Sequence, residues 1–229
     1  MKEKVIGILG GMGPDATIDC FEKITRNTPA RYDQEHLKVI IYSNPKVPDR
    51  TQAILGDAAS PLPFLIEGCQ GLTRACAAFI IIPCVTAHYF LKELREATEV
   101  PVLSILDAVA EDIRKYHPEI KTVGLMATSG TVKSGIFQER MAADNIKCIV
   151  CTDHIQEKVM SSIYSIKAGV SLDNRETIKN ELGRAAQSLV ESGAQGIIAG
   201  CTEIPLCLSQ KDVKVPYFDS LLLFGKGCY

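Results

Sequence analysis

Cysteine is the residue type in this 229-residue chain whose number and spacing point to chemistry, because nine are present. A thiol, with an ordinary pKa of about 8.5, can serve as a nucleophile, an acid, a base or a metal ligand, and two thiols can form a disulfide. The beginning of the sequence, MKEKVIGILGG, lacks the long apolar stretch of an export signal. We therefore expect a cytoplasmic protein with reduced thiols rather than a disulfide framework.

Cys84 and Cys201 stand apart because each follows a short apolar run, FIIIP before Cys84 and GIIAG before Cys201. They lie 117 residues apart (201 − 84), and the same spacing separates Gly7 from Gly124 (124 − 7), each of which follows a valine-containing, strand-like run. The two halves of the chain thus align without a gap. This pattern predicts two similar lobes, each with a cysteine at the carboxyl end of a strand, which is where open α/β sheets bind ligands.

Two equivalent thiols suit the inversion of a carbon centre. One thiolate removes a proton from one face of the carbon, and one thiol delivers a proton to the other face. The start of a helix after each cysteine would favour the thiolate through unpaired N–H groups and the helix dipole. The alternative is that both cysteines are small buried hydrophobic residues, as most intracellular cysteines are.

Short β-branched runs alternate with amphipathic helical patterns along the whole chain. The strand-like runs are Lys4–Leu9, Leu37–Ser43, Phe79–Ile82, Val100–Ser104, Lys121–Met126, Ile146–Cys151, Gly196–Ala199 and Val215–Phe218. Several are apolar at consecutive positions, which is typical of strands buried on both faces of a parallel sheet. The sequence therefore predicts an α/β fold of two pseudo-symmetric lobes, each a parallel sheet flanked by helices. We expect residues 1–99 and 208–229 to form the first lobe and residues 100–207 the second.

The charge and composition of the chain limit the kinds of molecule that we expect it to bind. The formal charge is −2, from 25 basic and 27 acidic residues, and no basic stripe is present, which argues against a nucleic-acid ligand. No apolar run approaches the roughly 20 residues that span a bilayer, so we expect no membrane partner. With 46% hydrophobic residues, the chain can bury a core without a metal or a disulfide.

Two other motifs suggest different chemistry. Gly11-Met12-Gly13-Pro14-Asp15-Ala16 matches the dinucleotide pattern G-x-G-x-x-A. However, Pro14 lacks an N–H for a pyrophosphate, and the second strand-like run ends without an acidic residue for a ribose. A tight turn into a helix explains the segment as well. Cys148 and Cys151, with His154, suggest a metal or redox site, but no companion ligands are present and the spacing in a strand points the two thiols to opposite faces.

The segments GILGGMGPDAT, SNPKVPDRT, IIIPCVTAH, ATSGTVKSGIF, SIYSIKAG and GCTEIPL resemble the aspartate/glutamate racemase family, in the same order and over nearly the whole chain. The resemblance implies an amino-acid racemase that needs no pyridoxal phosphate or other cofactor and no metal. It also implies a homodimer and a small-molecule substrate that binds in the cleft between two α/β lobes. Cys84 and Cys201 would be the two catalytic acid/base residues, and aspartate or glutamate would be the substrate.

The same resemblance implies that Arg50 and Lys167 hold the side-chain carboxylate of the substrate. The planar guanidinium of Arg50 suits a carboxylate, although a loop arginine is often only solvated. Lys167 lies near a helix end, where a lysine also interacts with the helix C-terminus. The other expected substrate-binding residues are Met12, Gly13, Val85, Thr86, Thr128, Ser129, Gly130, Thr131, Thr202 and Glu203. Loop glycines and threonines also serve as ordinary turn residues.

Val85 departs from the family pattern, in which asparagine usually follows the first cysteine in a PCNTAH run. The loss of a polar group leaves open another amino-acid substrate, or a related cysteine-dependent isomerase or decarboxylase. A non-catalytic protein that binds small acids is the alternative of a different class. His88, four residues after Cys84, could orient the cysteine loop, but the pattern favours a structural hydrogen-bonding role.

Overall fold

The computed structural model describes residues 4–169 and 172–226, which form two compact units. The first unit contains the chain up to Ile105 and the residues from Leu221 onward, and the second contains Leu106–Ser220. The sequence-based division assigned residues 208–229 to the first lobe. Residues 208–220 instead lie in the second unit, because the strand at Tyr217–Asp219 pairs with the strand at Gly196–Gly200.

The first unit is built around a parallel three-stranded sheet of order β2-β1-β3. Its elements are β1 (Ile6–Gly10), α1 (Pro14–Asn27), β2 (Val39–Ser43), α2 (Arg50–Leu55), α3 (Leu62–Arg74), β3 (Phe79–Ile81) and α4 (Leu91–Glu96), with 3₁₀ helices at Asp33–Glu35 and Val85–Phe90. The central strand β1 is buried at every position. The hydrophobic core lies between the sheet and α3, and it includes Leu9, Leu65, Leu72 and Ile80.

The second unit is built around a parallel four-stranded sheet of order β5-β4-β6-β7. Its elements are α5 (Ile105–Tyr116), β4 (Thr122–Ala127), α6 (Ser129–Ser134), α7 (Ile136–Ala142), β5 (Lys147–Val150), α8 (Asp153–Lys167), α9 (Leu172–Glu191), β6 (Gly196–Gly200) and β7 (Tyr217–Asp219), with 3₁₀ helices at Ile204–Leu206 and Gln210–Asp212. The last helix, α10 (Ser220–Lys226), returns the chain to the first unit. No helix in the described ranges is long and apolar enough to cross a membrane.

The two parallel sheets confirm the α/β prediction, and every predicted strand run except Val100–Ser104 contains a strand. In that run only Val102 forms an isolated parallel bridge, to Ile80 of β3. Pro101 has no N–H with which to extend the pairing, and α5 begins at Ile105 directly after the run.

The 117-residue repeat has a structural counterpart in the central strands β1 and β4. A Cβ atom on Gly7 would lie 3.4 Å from the Cβ of Leu72 in α3, and one on Gly124 would lie 2.8 Å from the Cβ of Leu189 in α9. Leu72 and Leu189 are themselves 117 residues apart (189 − 72). The absence of a side chain at Gly124 therefore lets α9 pack closely against β4. A Cβ at Gly7 would touch α3 at an ordinary distance, but it would clash with the Cβ of Ala77, 2.9 Å away, in the turn that follows α3. The same spacing relates the strand partners of the two glycines, Ile80 and Ile197.

The repeat also includes the turn that ends α3 and α9. Cys76 and Gly193, again 117 residues apart (193 − 76), both have left-handed backbones, with φ of 64° and 98°. Their amides donate to the carbonyls of Thr73 and Val190, each at 2.9 Å. A left-handed residue at this position is a common helix C-terminal motif, and glycine adopts it without a steric cost from Cβ. The first unit therefore has an exposed cysteine where the second has the preferred residue.

We expect Cys76→Gly to raise the free energy of unfolding by about 0.5–1 kcal/mol, because a left-handed residue with a Cβ costs about 1–2 kcal/mol and the added backbone entropy of glycine offsets part of that gain. Gly193→Ala should lower it by about 1 kcal/mol for the same reason. Urea denaturation measures both changes. Cys76→Ala is the control: it removes the thiol but keeps the Cβ, so an equal gain in this variant would contradict the backbone explanation.

Candidate active site

The predicted substrate-binding residues of the first unit follow the carboxyl ends of its strands. After β1 the chain passes through Gly11 and a cis peptide between Met12 and Gly13, and α1 begins at Pro14. A Cβ on Gly11 would lie 2.4 Å from the backbone nitrogen of Asn44, so only glycine lets this loop lie against the end of β2. The G-x-G-x-x-A segment is thus a tight turn with proline in the first turn of its helix.

Arg50 joins the loop after β2 to the loop after β1. Its Nη1 donates to the carbonyls of Val47 at 3.1 Å and Pro48 at 3.0 Å, and its Nη2 donates to the carbonyl of Met12 at 3.2 Å. Its Nε is buried and has no hydrogen-bond partner among the described residues. The structure therefore brings Arg50 and Met12 together. The guanidinium keeps its Nε–H and one Nη2–H for an acceptor such as a carboxylate.

Cys84 lies between β3 and the 3₁₀ helix, with an extended backbone at the N-cap position. Its side chain is buried, as are those of Val85 and Thr86, which begin the 3₁₀ helix. The aliphatic side chain of Val85 provides no hydrogen bond at the position where the related motif has an amide. The first unit thus has one buried thiol, followed in the chain by an apolar and a hydroxyl side chain.

The loop after β4 in the second unit contains the expected Thr128–Thr131 segment. The Thr128 hydroxyl oxygen accepts from the Thr131 amide at 3.1 Å and caps α6, and the two hydroxyls are 3.0 Å apart. Gly130 is buried with Thr131, whereas Ser129 is half-buried. Two of the predicted polar groups are therefore part of a helix cap as well as candidates for substrate binding.

Gln156 in α8 was not among the residues predicted from the sequence. Its Nε2 donates to the carbonyl of Ala127 at 2.9 Å and to the hydroxyl of Ser129 at 3.3 Å, so it connects α8 to the end of β4. Its Oε1 is buried and accepts no hydrogen bond from a described residue. The HIQEK run that contains Gln156 shows nothing unusual in the sequence. Only the fold reveals that this amide lies against the predicted substrate loop.

Four predicted residues meet around one carboxylate after β6. The Cys201 thiol donates to Oε2 of Glu203 at 3.0 Å, and the Thr202 hydroxyl donates to the same oxygen at 3.3 Å. The ammonium of Lys167, at the end of α8, lies 2.9 Å from Oε1 of Glu203. Glu203 is almost fully buried, whereas the Lys167 side chain is 20% exposed. Glu203 therefore links the candidate catalytic thiol to the candidate substrate-binding lysine.

The surroundings of Cys201 favour the neutral thiol. Burial is the main cause that raises its pKa well above the ordinary value, and the charge of Glu203 adds to the effect, while the charge of Lys167 opposes it. The expectation of a thiolate stabilised by a helix N-terminus is therefore wrong for Cys201. The helix that follows it is a 3₁₀ helix of three residues, Ile204–Leu206, and the nearest charge is the Glu203 carboxylate.

Burial is the main influence on the thiols of Cys69, Cys148 and Cys151. Burial raises the pKa of the thiols of Cys69 and Cys151 to about 11 and that of Cys148 to about 12, so these side chains are poor nucleophiles near neutral pH. Cys228 lies outside the described residues. Within residues 4–169 and 172–226, no group of three or more histidine, cysteine or acidic side chains is arranged to hold a metal ion.

Comparisons with known proteins agree with the arrangement of each unit. The Broad specificity amino-acid racemase RacX of Bacillus subtilis (strain 168) is 28% identical over 227 residues, which cover 97% of this chain and 96% of that protein. The solved structure of the Picrophilus torridus aspartate racemase is 30% identical, with a TM-score of 0.85 over 98% of this chain and 94% of that one. An aspartate racemase homologue from Pyrococcus horikoshii OT3 is 29% identical, with a TM-score of 0.76 over 99% and 97%.

The family match covers most of the chain. Residues 9–223 match the family described as Asp/Glu/Hydantoin racemase. This range covers most of both units, and it contains the two cysteines that follow β3 and β6 and every other residue that we selected as a candidate site residue. The chain belongs to the Asp/Glu/Hydantoin racemase family.

Proposed function

We propose that the protein is an amino-acid racemase that acts on aspartate or glutamate without a cofactor, with Cys84 and Cys201 as the two acid/base groups. The observation that carries the proposal is the contact of the Cys201 thiol with the Glu203 carboxylate, 3.0 Å apart, just after the carboxyl end of β6, an inner strand of its sheet. A thiol beside a buried proton acceptor can act as an acid or as a base. A cysteine that only packs in an apolar core has no such acceptor. Cys84 holds the equivalent position in the repeat.

The proposed reaction moves two protons. In one direction a thiolate takes the Cα proton of the substrate, and the opposing thiol gives its proton to the other face of the resulting carbanion. In the reverse direction the roles of the two cysteines are exchanged. Cys201 starts as a neutral thiol, so it is ready to donate. When Cys201 must act as the base, Glu203 takes the thiol proton across the hydrogen bond and leaves a thiolate.

Arg50 and Lys167 supply positive charge in this proposal. No cofactor acts as an electron sink, so the negative charge that develops at Cα must be stabilised by fixed charges and hydrogen bonds. A substrate carboxylate bound by the guanidinium of Arg50 or the ammonium of Lys167 would remain near these charges throughout the reaction. Protonation of Glu203 would also remove the negative charge that faces Lys167, which strengthens the interaction of the lysine with an anionic substrate.

Val85 favours a second candidate substrate class. The buried aliphatic side chain after Cys84 leaves no amide to bind the polar groups around Cα. A relative that is similar along its whole length is named a broad specificity racemase. We therefore keep racemisation of a non-acidic amino acid as the second candidate, with the same two thiols.

Racemisation in D₂O tests the proposal directly. Purified protein is incubated without pyridoxal phosphate with the L- and D-forms of aspartate, glutamate and leucine, and chiral chromatography and the Cα proton signal are followed. We expect inversion and deuterium incorporation for an acidic amino acid. Activity on leucine alone would favour the second candidate. Absence of both inversion and exchange for all six compounds would contradict racemase activity.

A further inference from the structure

His88 uses both ring nitrogens inside the first unit. The side chain is buried, and its Nε2 accepts a hydrogen bond from the backbone N–H of Ile105 at 3.1 Å. Because Nε2 accepts, the proton of the neutral ring must lie on Nδ1. Nδ1 is 3.0 Å from the backbone carbonyl oxygen of Cys84, to which it donates. The network thus assigns one tautomer and fixes the ring between two segments that are 17 residues apart in sequence.

We propose that His88 is a positioning residue of the racemase: its Nδ1–H holds the carbonyl of Cys84 and thereby sets the direction of the Cys84 thiol. This inference rests on the proposed function, in which Cys84 is one of the two acid/base groups. The imidazole itself touches backbone atoms and takes no part in proton transfer to the substrate.

The geometry of Cys84 explains why its carbonyl needs a fixed partner. Cys84 is the last of three residues between β3 and the 3₁₀ helix, with φ −153° and ψ 105°. The orientation of its carbonyl is set by ψ, and the same backbone fixes the direction of the Cα–Cβ bond. A hydrogen bond to this oxygen from a ring packed edge-to-face with Phe224, 6.2 Å between centroids, therefore limits the motion of the thiol.

The surroundings keep the ring neutral, as this role requires. A protonated imidazole would lose its acceptor nitrogen, and the Ile105 N–H would face a donor. The pKa of His88 is lowered to about 4, mainly by burial and to a smaller extent by the positive charge of Arg95 in α4. Backbone hydrogen bonds at Cys84, Leu103 and Val85 favour the charged form, but they offset only part of the effect of burial. The hydrogen bond to Cys84 is therefore kept over the range in which an exposed histidine would titrate.

Two substitutions separate positioning of the thiol from support of the fold. Asparagine places an amide nitrogen at the same bond separation as Nδ1, so His88→Asn keeps the donor to Cys84 and loses the acceptor for Ile105. Glutamine places its oxygen at the level of Nε2, so His88→Gln keeps the acceptor for Ile105 and loses the donor. We expect His88→Gln to lower kcat about 10- to 100-fold with KM little changed, whereas His88→Asn stays close to the unmodified protein. Equal losses in the two variants, or a larger loss in His88→Asn, would overturn the proposal.

Two measurements without substrate make the result independent of racemase activity. Two-bond nitrogen–proton NMR of the unmodified protein should show a neutral His88 protonated on Nδ1, with no titration around the ordinary histidine pKa of about 6.5. The rate of Cys84 alkylation by iodoacetamide, followed by peptide mass spectrometry, should rise several-fold in His88→Gln while that of Cys201 is unchanged. Protonation on Nε2, or an unchanged Cys84 rate, would overturn the role of His88 even in an active racemase. If the unmodified protein does not racemise any substrate, the proposed function fails and these two measurements still test the positioning.

Discussion

Cys84→Ala and Cys201→Ala should each lower racemisation by about 10²- to 10⁴-fold, the range expected when a group that transfers a proton in the transition state is removed. Alanine keeps the Cβ and removes one buried sulfur, so we expect the fold to persist in both variants. Chiral chromatography measures the loss of inversion. Circular dichroism and the urea midpoint verify that the folded state is present.

Isotope exchange gives a sharper test of the two-base mechanism. Each single variant keeps one thiol, which can still remove the Cα proton from the face that it contacts and return a deuteron to the same face. In D₂O we therefore expect each variant to exchange Cα hydrogen in one enantiomer without inverting it. The enantiomer should differ between Cys84→Ala and Cys201→Ala. Exchange of the same enantiomer in both, or full racemisation in either, would contradict the mechanism.

Cys76→Ala and Cys207→Ala are the matched controls, one for each unit. Cys76 is exposed, and Cys207 is half-buried with a pKa raised mainly by burial. Cys76 lies at the end of α3, and Cys207 packs at the edge of the hydrophobic cluster that includes Cys201, so neither is among the candidate acid/base groups. Both variants should therefore racemise at the rate of the unmodified protein. A large loss in Cys207→Ala would show that the effect of Cys201→Ala does not arise from proton transfer alone.

The repeat and the strand ends could be predicted because they depend on local sequence. Consecutive apolar residues identify buried parallel strands, and constant spacing identifies equivalent positions in a duplicated fold. This reasoning located Gly7 and Gly124, which lie in the inner strands β1 and β4, and Cys84 and Cys201, which follow the ends of β3 and β6. The same reasoning failed for Val100–Ser104. The β propensity of these residues predicts a strand, but it does not show that Pro101 and the start of α5 at Ile105 limit the pairing to a single bridge.

The contacts that determine chemistry could not be predicted in the same way. The amide that donates to His88 Nε2 is 17 residues away, and the loop that Gln156 supports is 27 or more residues away. The neutral state of Cys201 depends on its burial and on the direction of the Glu203 side chain. The sequence places Glu203 two residues after Cys201 and therefore near its thiol. It does not indicate whether the Glu203 carboxylate contacts the substrate, the Lys167 ammonium or the Cys201 sulfur. These long-range contacts and side-chain rotamers are known only from the folded structure.

Glu203→Gln and Lys167→Met should shift the ionisation of Cys201 in opposite directions. The charge of Glu203 and its hydrogen bond raise the pKa of the thiol, so their removal in Glu203→Gln should lower this pKa towards the ordinary value, although burial keeps it raised. The charge of Lys167 lowers the pKa, so Lys167→Met should raise it further. The pH dependence of Cys201 alkylation by iodoacetamide measures both shifts: the rise in rate should move to lower pH in Glu203→Gln and to higher pH in Lys167→Met.

Both variants should also lose activity, by about 10²-fold or more. In Glu203→Gln, Cys201 no longer has an acceptor for its proton, so the loss should be greatest for the enantiomer on which Cys201 acts as the base. In Lys167→Met, an anionic substrate loses a positive partner, so KM should rise as kcat falls. Lys167→Arg keeps the charge and is the control for the size of the side chain.

Removal of Lys167 and removal of Glu203 should change the free energy of unfolding by different amounts. Lys167→Met leaves the almost fully buried Glu203 carboxylate without the ammonium 2.9 Å away, and removal of one partner of a buried pair costs about 3–5 kcal/mol. Glu203→Gln should cost less, because the partly exposed Lys167 side chain can be solvated. The double variant should recover most of the loss of Lys167→Met in urea denaturation, since no buried charge remains unpaired. If Lys167→Met were as stable as the unmodified protein, and if its Cys201 profile did not move, the ion pair would have no role in setting the state of the thiol.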